Sequence, residues 1–377
     1  MMMIVLILKI QIGEIMGKFD ITEITKTTIT TGLAGKIIGI YGTNNTGKSY
    51  VSARLFPGKT LWLATEKGYN AQSDLCVYDI ENWHDFRDAI NQLTTRNKKK
   101  REKVREMYDC VVVDTADKIP NLCTQYIISR YNEEQSANFT DFNPINEISA
   151  ILYGGGYVSL NREIDIQINK LALSGYCVVL IFHDEIKTMK DEKNREYEYI
   201  IPKTTFNKAG NCLKDIPDFM IYLESQGIGD DGIPILSRGH CVQHKEFFAR
   251  SRYTECQPII DPFTEENLKN AIKLACEKEA EKLGVKAITF AEEESKKEKV
   301  KEEKSKTYED LKNMIQPIYK ALYTAKYKNF VDSVVTQYLG ENKKISQTTN
   351  EDKDSLQYIY DKLLDFAEEK NVDWEES

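Results

Sequence analysis

A phosphate group is held best by backbone N–H groups that turn inward together. The run Gly42-Thr43-Asn44-Asn45-Thr46-Gly47-Lys48-Ser49 has the residues for such a turn. Gly42 and Gly47 admit backbone angles that a Cβ forbids, so successive amides can surround an anion. Lys48 is spaced to reach the outer phosphates of a nucleoside triphosphate, and the Ser49 hydroxyl to ligate Mg2+. Tyr50 follows in the first turn of a helix whose positive end faces the same anion. The context fits: an apolar run, Lys36–Tyr41, comes before the turn and a helix-forming segment after it. ATP and Mg2+ are therefore the expected cofactors, with Gly42 through Tyr50 as the binding residues.

Asp114 closes a second apolar run that begins at Cys110. A carboxylate at the carboxyl end of a buried strand faces the crevice where nucleotides lie in open α/β sheets. Asp114 is thus the expected second support of the metal, beside Ser49. Glu66 comes just after the apolar run Thr60–Ala64, and His183 just after Cys177–Phe182. Arg250, Ser251 and Arg252 lie on the last strand-like run. The segment Ile186–Thr205 carries Lys187, Lys190, Lys193, Arg195 and Lys203 with Tyr197 and Tyr199. Cations for phosphate and aromatics for bases are what single-strand binding uses. Asp184, Glu185, Asp191, Glu192, Glu196 and Glu198 offset that charge, and a plain exposed loop is the competing reading. The densest basic run, Lys98–Arg105, reads as a solvated face or a phosphate-backbone contact.

The elements that must position these residues follow from the same runs. Continuous apolar stretches without polar alternation predict central parallel strands covered on both faces. Helix-length segments Gly47–Leu55, Trp83–Met107, Lys118–Tyr131 and Tyr157–Leu173 separate them. The expected fold class is α/β with a mostly parallel central sheet. Phe219–Leu223, Ile233–Leu236 and Glu246–Ala249 read as further strands, antiparallel at the sheet edge, and Asn132–Gly156 as a surface loop. Past Pro258 and Pro262 the pattern turns helical. The expected division is 1–16 as an N-terminal extension, 17–262 as the nucleotide-binding domain, 263–306 as a charged helix and linker, and 307–377 as a small helical module.

A hydrophobic share of 41% against 29% charged residues allows a substantial core, and the net charge of −8 advertises no bulk nucleic-acid affinity. The eight cysteines form no CxxC pair and fit a reducing compartment. His240, Cys241, His244 and Cys256 lack the paired spacing of zinc modules. Met1–Ile10 is too short to span a bilayer and has no cleavage pattern after it, so no membrane association is expected. Gly13-Glu14 can be encoded by a purine-rich ribosome-binding stretch, which makes Met16 the expected start.

Several motifs in order give residues 17–262 a resemblance to phage RecA-like P-loop ATPases of the Sak-type single-strand annealing and recombination group. They are the turn at Gly42–Ser49, ATEKG around Glu66, VVVDT around Asp114, YGGGY at Tyr153–Tyr157 and VVLIFHDE around His183. Ile216–Leu223 with Asp218, and ARSR at Ala249–Arg252, complete the order. The resemblance implies a RecA-like core in which Glu66 is the catalytic base, assisted by Lys48. His183 takes the place of the γ-phosphate sensor, usually glutamine, and Arg250 or Arg252 acts as a finger in a neighbour's site. It also implies DNA-stimulated ATP hydrolysis, a single-stranded DNA substrate, a single-strand DNA-binding protein as partner, a ring or filament, and a host bacterial cytoplasm. Thr43-Asn44-Asn45 departs from the prolines common in such loops. The helical tail lies outside the resemblance, and Trp374 in its acidic tip, Asp373–Ser377, is the residue there most able to dock a partner. A helicase-like or helicase-loading motor and a nucleotide-gated scaffold stay open as alternatives.

Overall fold

The computed structural model of the protein describes residues 27–95, 97–138, 146–204, 210–304, 307–341, 343–370 and 372. The expectations for residues 1–16, for a start at Met16 and for the tip Asp373–Ser377 with Trp374 lie outside these residues. The chain divides into two compact units, Met1–Glu293 and Glu294–Ser377.

Strands of the first unit are β1 (Thr30–Thr31), β2 (Ile37–Gly42), β3 (Thr60–Ala64), β4 (Cys76–Asp79), β5 (Cys110–Asp114), β6 (Cys177–Phe182), β7 (Asp184–Lys190) and β8 (Glu196–Pro202). After them come β9 (Phe219–Glu224), β10 (Arg238–His240), β11 (Arg250–Ser251), β12 (Ile259–Ile260) and β13 (Ile288–Thr289). Its helices are α1 (Lys48–Arg54), α2 (Trp83–Leu93), α3 (Lys98–Met107), α4 (Ile119–Asn138), α5 (Gly155–Leu173), α6 (Cys212–Asp215) and α7 (Glu265–Lys282). The central sheet has the order β12-β10-β9-β2-β6-β5-β3-β4, with β11 added on β9. From β9 to β4 every neighbouring pair is parallel. This is a mostly parallel α/β sheet, as the apolar runs predict.

Each central strand alternates between two cores. Tyr41, Val111, Val113, Val178, Leu180 and Met220 face the cluster that α2, α4 and α5 complete with Phe86, Cys123 and Ile164. Ile38, Ile40, Trp62, Val112, Val179 and Ile221 face the opposite cluster, which includes Val51 of α1. A strand buried on both faces needs no polar alternation, which is why these runs read as unbroken apolar stretches.

Three differences from the sequence reading have physical causes. Phe219–Leu223 is not an antiparallel edge strand: β9 lies beside β2, parallel to it, and is buried along nearly its whole length. Its all-apolar composition marks a central strand, and late position in the chain does not dictate an edge. Ile233–Leu236 and Glu246–Ala249 form no strands, only isolated bridges Ile228–Pro234 and Ile200–Phe247. The helix expected to open a linker, α7, belongs to the first unit. Leu268, Ala271, Ile272, Ala275 and Cys276 recur at helical spacing and are buried in the second face's core. The boundary therefore falls at Glu293, not at 262.

Further, Trp83–Met107 breaks into α2 and α3, and β4 is an added edge strand. Asn132–Gly156 is largely not loop, since α4 runs on to Asn138, while 139–145 lie outside the described residues. Up to Pro202, the segment expected as a loop is an antiparallel hairpin, β7 with β8.

Helix α8 (Phe290–Lys304) spans the boundary between the units. The second unit is otherwise a three-helix module of α9 (Tyr308–Thr324), α10 (Lys328–Leu339) and α11 (Lys353–Glu369). Its own core contains Leu311, Ile315, Ile318, Leu322, Val331, Leu356, Ile359 and Leu363. Thr307 and Asp310 cap α9 reciprocally, the Asp310 Oδ2 accepting from the Thr307 amide at 2.8 Å.

Ile38 is fully buried at the centre of the sheet, paired to Val179 and Phe219. Ile38→Ala is expected to destabilise the first unit by about 2–5 kcal/mol through lost burial and a residual cavity. Urea unfolding followed by circular dichroism measures this; an unchanged midpoint would contradict the packing described.

Candidate active site

Because the sheet is parallel and in register, the carboxyl ends of four strands meet at one rim. Tyr41 pairs with Phe182, Ile181 with Asp114, and Asp114 with Ala64. The residues just beyond these ends are Gly42, His183, Thr115, Thr65 and Glu66. They open on a cleft of about 1040 Å³ lined by Asn44–Val51, Glu66, Asp114 and His183, with Pro234–Ser237 and Phe263–Glu266 as its other wall.

The turn between β2 and α1 has the backbone its glycines allow. A Cβ on Gly42 would stand 2.6 Å from the carbonyl oxygen of Leu223, and Gly47, at φ 86°, caps α1 in the left-handed region. Thr46 Oγ1 donates to the Thr43 carbonyl at 2.9 Å and braces the turn. Lys48 Nζ curls back into it, donating to the carbonyls of Gly42 and Thr43 at 2.7 Å each. Burial depresses the pKa of Lys48, while Asp184, Asp114, Asp117 and Glu66 hold it up. One buried ammonium thus faces four carboxylates.

Ser49 Oγ donates to Asp114 Oδ2 at 3.0 Å. Burial raises the Asp114 carboxyl above its ordinary range; the Ser49 bond pulls it back and Glu66 adds to the rise. Two hard oxygen ligands side by side, in a cleft with a surplus of carboxylates, fit a divalent cation such as Mg2+. No group of three or more His, Cys, Asp or Glu suited to a metal forms among the described residues. His240 instead meets Glu224 at 3.0 Å and stacks on Tyr222.

Glu66 stands at the end of β3, its Oε2 2.6 Å from Lys118 Nζ and its Oε1 3.9 Å from His183 Nε2. His183 is turned by Asp117, whose Oδ2 lies 3.0 Å from Nδ1. Thr65 ties the ends of β3 and β5 together: its Oγ1 accepts from the Thr115 amide and donates to the Thr115 carbonyl, both at 2.9 Å. Sequence reasoning missed Asp117 and Lys118. Their only signal is position, three and four residues past Asp114 on the short turn Ala116–Lys118.

Tyr50, half exposed at the cleft mouth, carries the Arg54 guanidinium 3.5 Å over its ring. Ile235 and Leu236, also half exposed, line the opposite wall.

The structure does not bring Arg250 and Arg252 to this cleft. Arg250 pairs with Met220 near the start of β9, at the amino rim of the sheet, and sits 3.5 Å from Asp215. Arg252 donates to the carbonyl oxygens of Asp215 and Ile216 at 3.2 and 3.0 Å, and Asp218 is 3.6 Å away. In the hairpin β7–β8, Lys187, Lys190 and Arg195 lie within 4 Å of Glu185, Glu196 and Asp191, its own carboxylates. Tyr197 and Tyr199 share one hairpin face and meet edge to face, 6.4 Å apart.

A phosphate-binding turn, a serine–aspartate pair and a glutamate on aligned strand ends define a P-loop nucleoside triphosphatase on an α/β sheet. A family model described as an AAA domain matches residues 34–253, and the chain belongs to that family. The SPbeta prophage-derived uncharacterized protein YorG of Bacillus subtilis (strain 168) is 30% identical over 351 residues, covering 93% of this chain and 99% of that protein. The crystal structure of the RadB recombinase aligns with 55% of this chain and 81% of its own, at 12% identity and a TM-score of 0.31. No described helix is long and apolar enough to cross a membrane.

Two substitutions test the site without nucleotide turnover. A raised carboxyl pKa means that the folded chain binds that proton more tightly than the unfolded chain does. Ionised Asp114 therefore costs stability once pH rises past its raised pKa. Asp114→Asn should melt higher than the parent at pH 7 without nucleotide, and the gain should shrink on acidification, where both side chains are neutral. A lower melting temperature at neutral pH would refute this. ATP should raise the melting temperature of the parent, and Lys48→Ala should abolish that shift; a surviving ATP-induced shift would contradict the assigned role.

Proposed function

We propose that this protein is an ATPase of phage DNA recombination or single-strand annealing, in which ATP hydrolysis responds to single-stranded DNA. The observation that carries the reading is Glu66. It lies just past the end of β3, the neighbour of the Asp114 strand, and lines the cleft that Lys48 and Ser49 also line. From there a carboxylate can orient a water and take its proton. Lys118 neutralises Glu66 at rest, and shifting it toward the phosphates would free the base. Lys48 binds the outer phosphates, and Ser49 with Asp114 would hold Mg2+, which supplies charge neutralisation to the phosphates when bound. His183, with Nδ1 3.0 Å from Asp117, can turn its other ring nitrogen to the phosphates and donate there.

DNA belongs to the proposal because of the hairpin directly after His183. Strand β7 begins at the next residue, and the Lys203 amide donates to the His183 carbonyl at 2.8 Å, so the hairpin is closed on the sensor itself. Its far strand is also tied to the P-loop strand: Tyr41 Oη donates to the carbonyls of Ile200 and Phe248. Tyr197, Tyr199 and Lys193 supply the stacking and charge that a single strand needs.

Self-association, into a ring or filament, and a single-strand DNA-binding protein as partner complete the proposal. The surface a neighbour would cover is the apolar loop at the cleft mouth, where Ile228, Ile233, Ile235 and Leu236 are all more than half exposed. Arg250 or Arg252 would reach a neighbour's phosphates, and Arg238, paired to Glu224 near this rim and 2.9 Å from Asp261, is a further candidate.

Glu66→Gln should cut ATP turnover by at least about 100-fold while ATP binding persists. In the parent, single-stranded DNA should raise turnover, and Tyr197→Ala with Tyr199→Ala should remove that stimulation and leave the basal rate. A basal rate that neither single-stranded DNA nor protein concentration alters would sink the proposal.

A further inference from the structure

The second unit holds a cleft of about 1170 Å³ with an unlike lining, formed by α9, α10 and the segment after Gly340. Along α9, Lys312, Gln316, Tyr319, Lys320 and Tyr323 face it at helical spacing. Tyr319 and Tyr323 stack on each other with ring centroids 4.5 Å apart and planes 19° from parallel. Lys328 of α10 stands over the Tyr323 ring at 6.0 Å, and the Tyr323 hydroxyl is anchored on Asp332. Lys343 is held by Asp352 at 2.7 Å, and Lys312 lies 4.0 Å from Glu309. Lys320, Lys328 and Lys344, all exposed, enter no ion pair among the described residues.

We infer that this cleft is a second binding site for single-stranded nucleic acid, in which bases continue the Tyr319–Tyr323 stack and the phosphates lie on Lys320, Lys328 and Lys344. A preformed pair of stacked rings offers a face to any base, and every base has one to offer in return. The lysines project from a chain whose net charge is −8, so they are a local exception rather than part of a general field. Asn313 and Gln316, on the same wall, can meet base edges in either sense, because amides both donate and accept. The hairpin beside His183 reports a bound strand to the nucleotide; the module adds grip through its own residues. This inference rests on the single-strand reading above for its ligand.

The test uses the full-length chain and a fluorescein-labelled oligothymidylate of about 20 nucleotides, read by anisotropy over a range of salt. Lys320→Ala with Lys328→Ala should weaken binding several-fold and flatten the salt dependence by about 1.4 in log–log slope, roughly 0.7 for each phosphate no longer neutralised. Tyr319→Ala should weaken binding about tenfold, and Tyr319→Phe should keep it, since a phenyl ring stacks as well. None of these should alter ATP turnover without DNA. Parental affinity and slope in the double lysine variant would overturn the inference, even if the hairpin variant Tyr197→Ala loses binding and leaves the single-strand reading intact. Displacement of the oligonucleotide by poly-glutamate at equal charge concentration would overturn it too, and assign the cleft to an acidic protein. No binding by the parental protein would fell both readings together.

Discussion

One buried ammonium among four carboxylates organises the whole first unit. Lys48 is nearly out of reach of water, and burial alone would favour its neutral form. Asp184, Asp114, Asp117 and Glu66 oppose that effect, while Glu66 in turn adds to the rise of the Asp114 carboxyl. Neither set is comfortable alone, and the cluster as a whole carries more negative than positive charge. Such a site favours a ligand that brings a divalent cation with its phosphates. The charge imbalance of the resting protein is the feature a metal–triphosphate would relieve.

That arrangement needs strands whose ends stay level. A parallel sheet covered on both faces supplies them, since burying Ile38, Val112, Val179 and Ile221 on one side and Val111, Val178 and Met220 on the other fixes each strand against slippage. A shift by one residue would turn every side chain to the wrong core. The Thr65–Thr115 pair of hydrogen bonds fixes the last step, between β3 and β5, where Glu66 and Asp114 leave the sheet. Phe182 ends β6, His183 is a single residue, and Asp184 begins β7, so the hairpin starts directly at the rim.

The sequence makes legible whatever depends on strand ends and on glycine. Gly42 and Gly47 mark the turn, and Asp114, Glu66 and His183 each follow an apolar run, so each is found at the rim without knowledge of the sheet order. Asp117 and Lys118 are not legible, because a charged pair at the start of a helix looks like ordinary capping until Glu66 and His183 are seen across from it. The hairpin is hidden for another reason. Apart from Ile200 and Ile201, β7 and β8 mix charges with single apolar residues on both faces, so no buried face imposes the alternation by which strands are read. Helix α7 reads with the tail because its charged face, rich in Glu and Lys, outweighs a narrow stripe of small apolar residues.

Arg250 and Arg252 both have partners within their own chain. Arg250 stands on β11, which pairs antiparallel with β9, and Arg252 follows just after it. Asp218 accepts from the Ile37 amide through Oδ2 at 2.9 Å, and its backbone carbonyl accepts from the Arg252 amide at 2.8 Å. Arg252 then binds two further carbonyls at the end of α6. The guanidinium thus ties the segment after β11 to the end of α6, while Asp218, just before β9, holds the amino end of β2, the strand whose other end forms the phosphate turn. Guanidinium geometry suits both tasks, since five donors in a plane match carbonyls and carboxylates as well as they match phosphate. Within this chain Arg252 meets carbonyls and a carboxylate, and a neighbour's phosphates would compete with them.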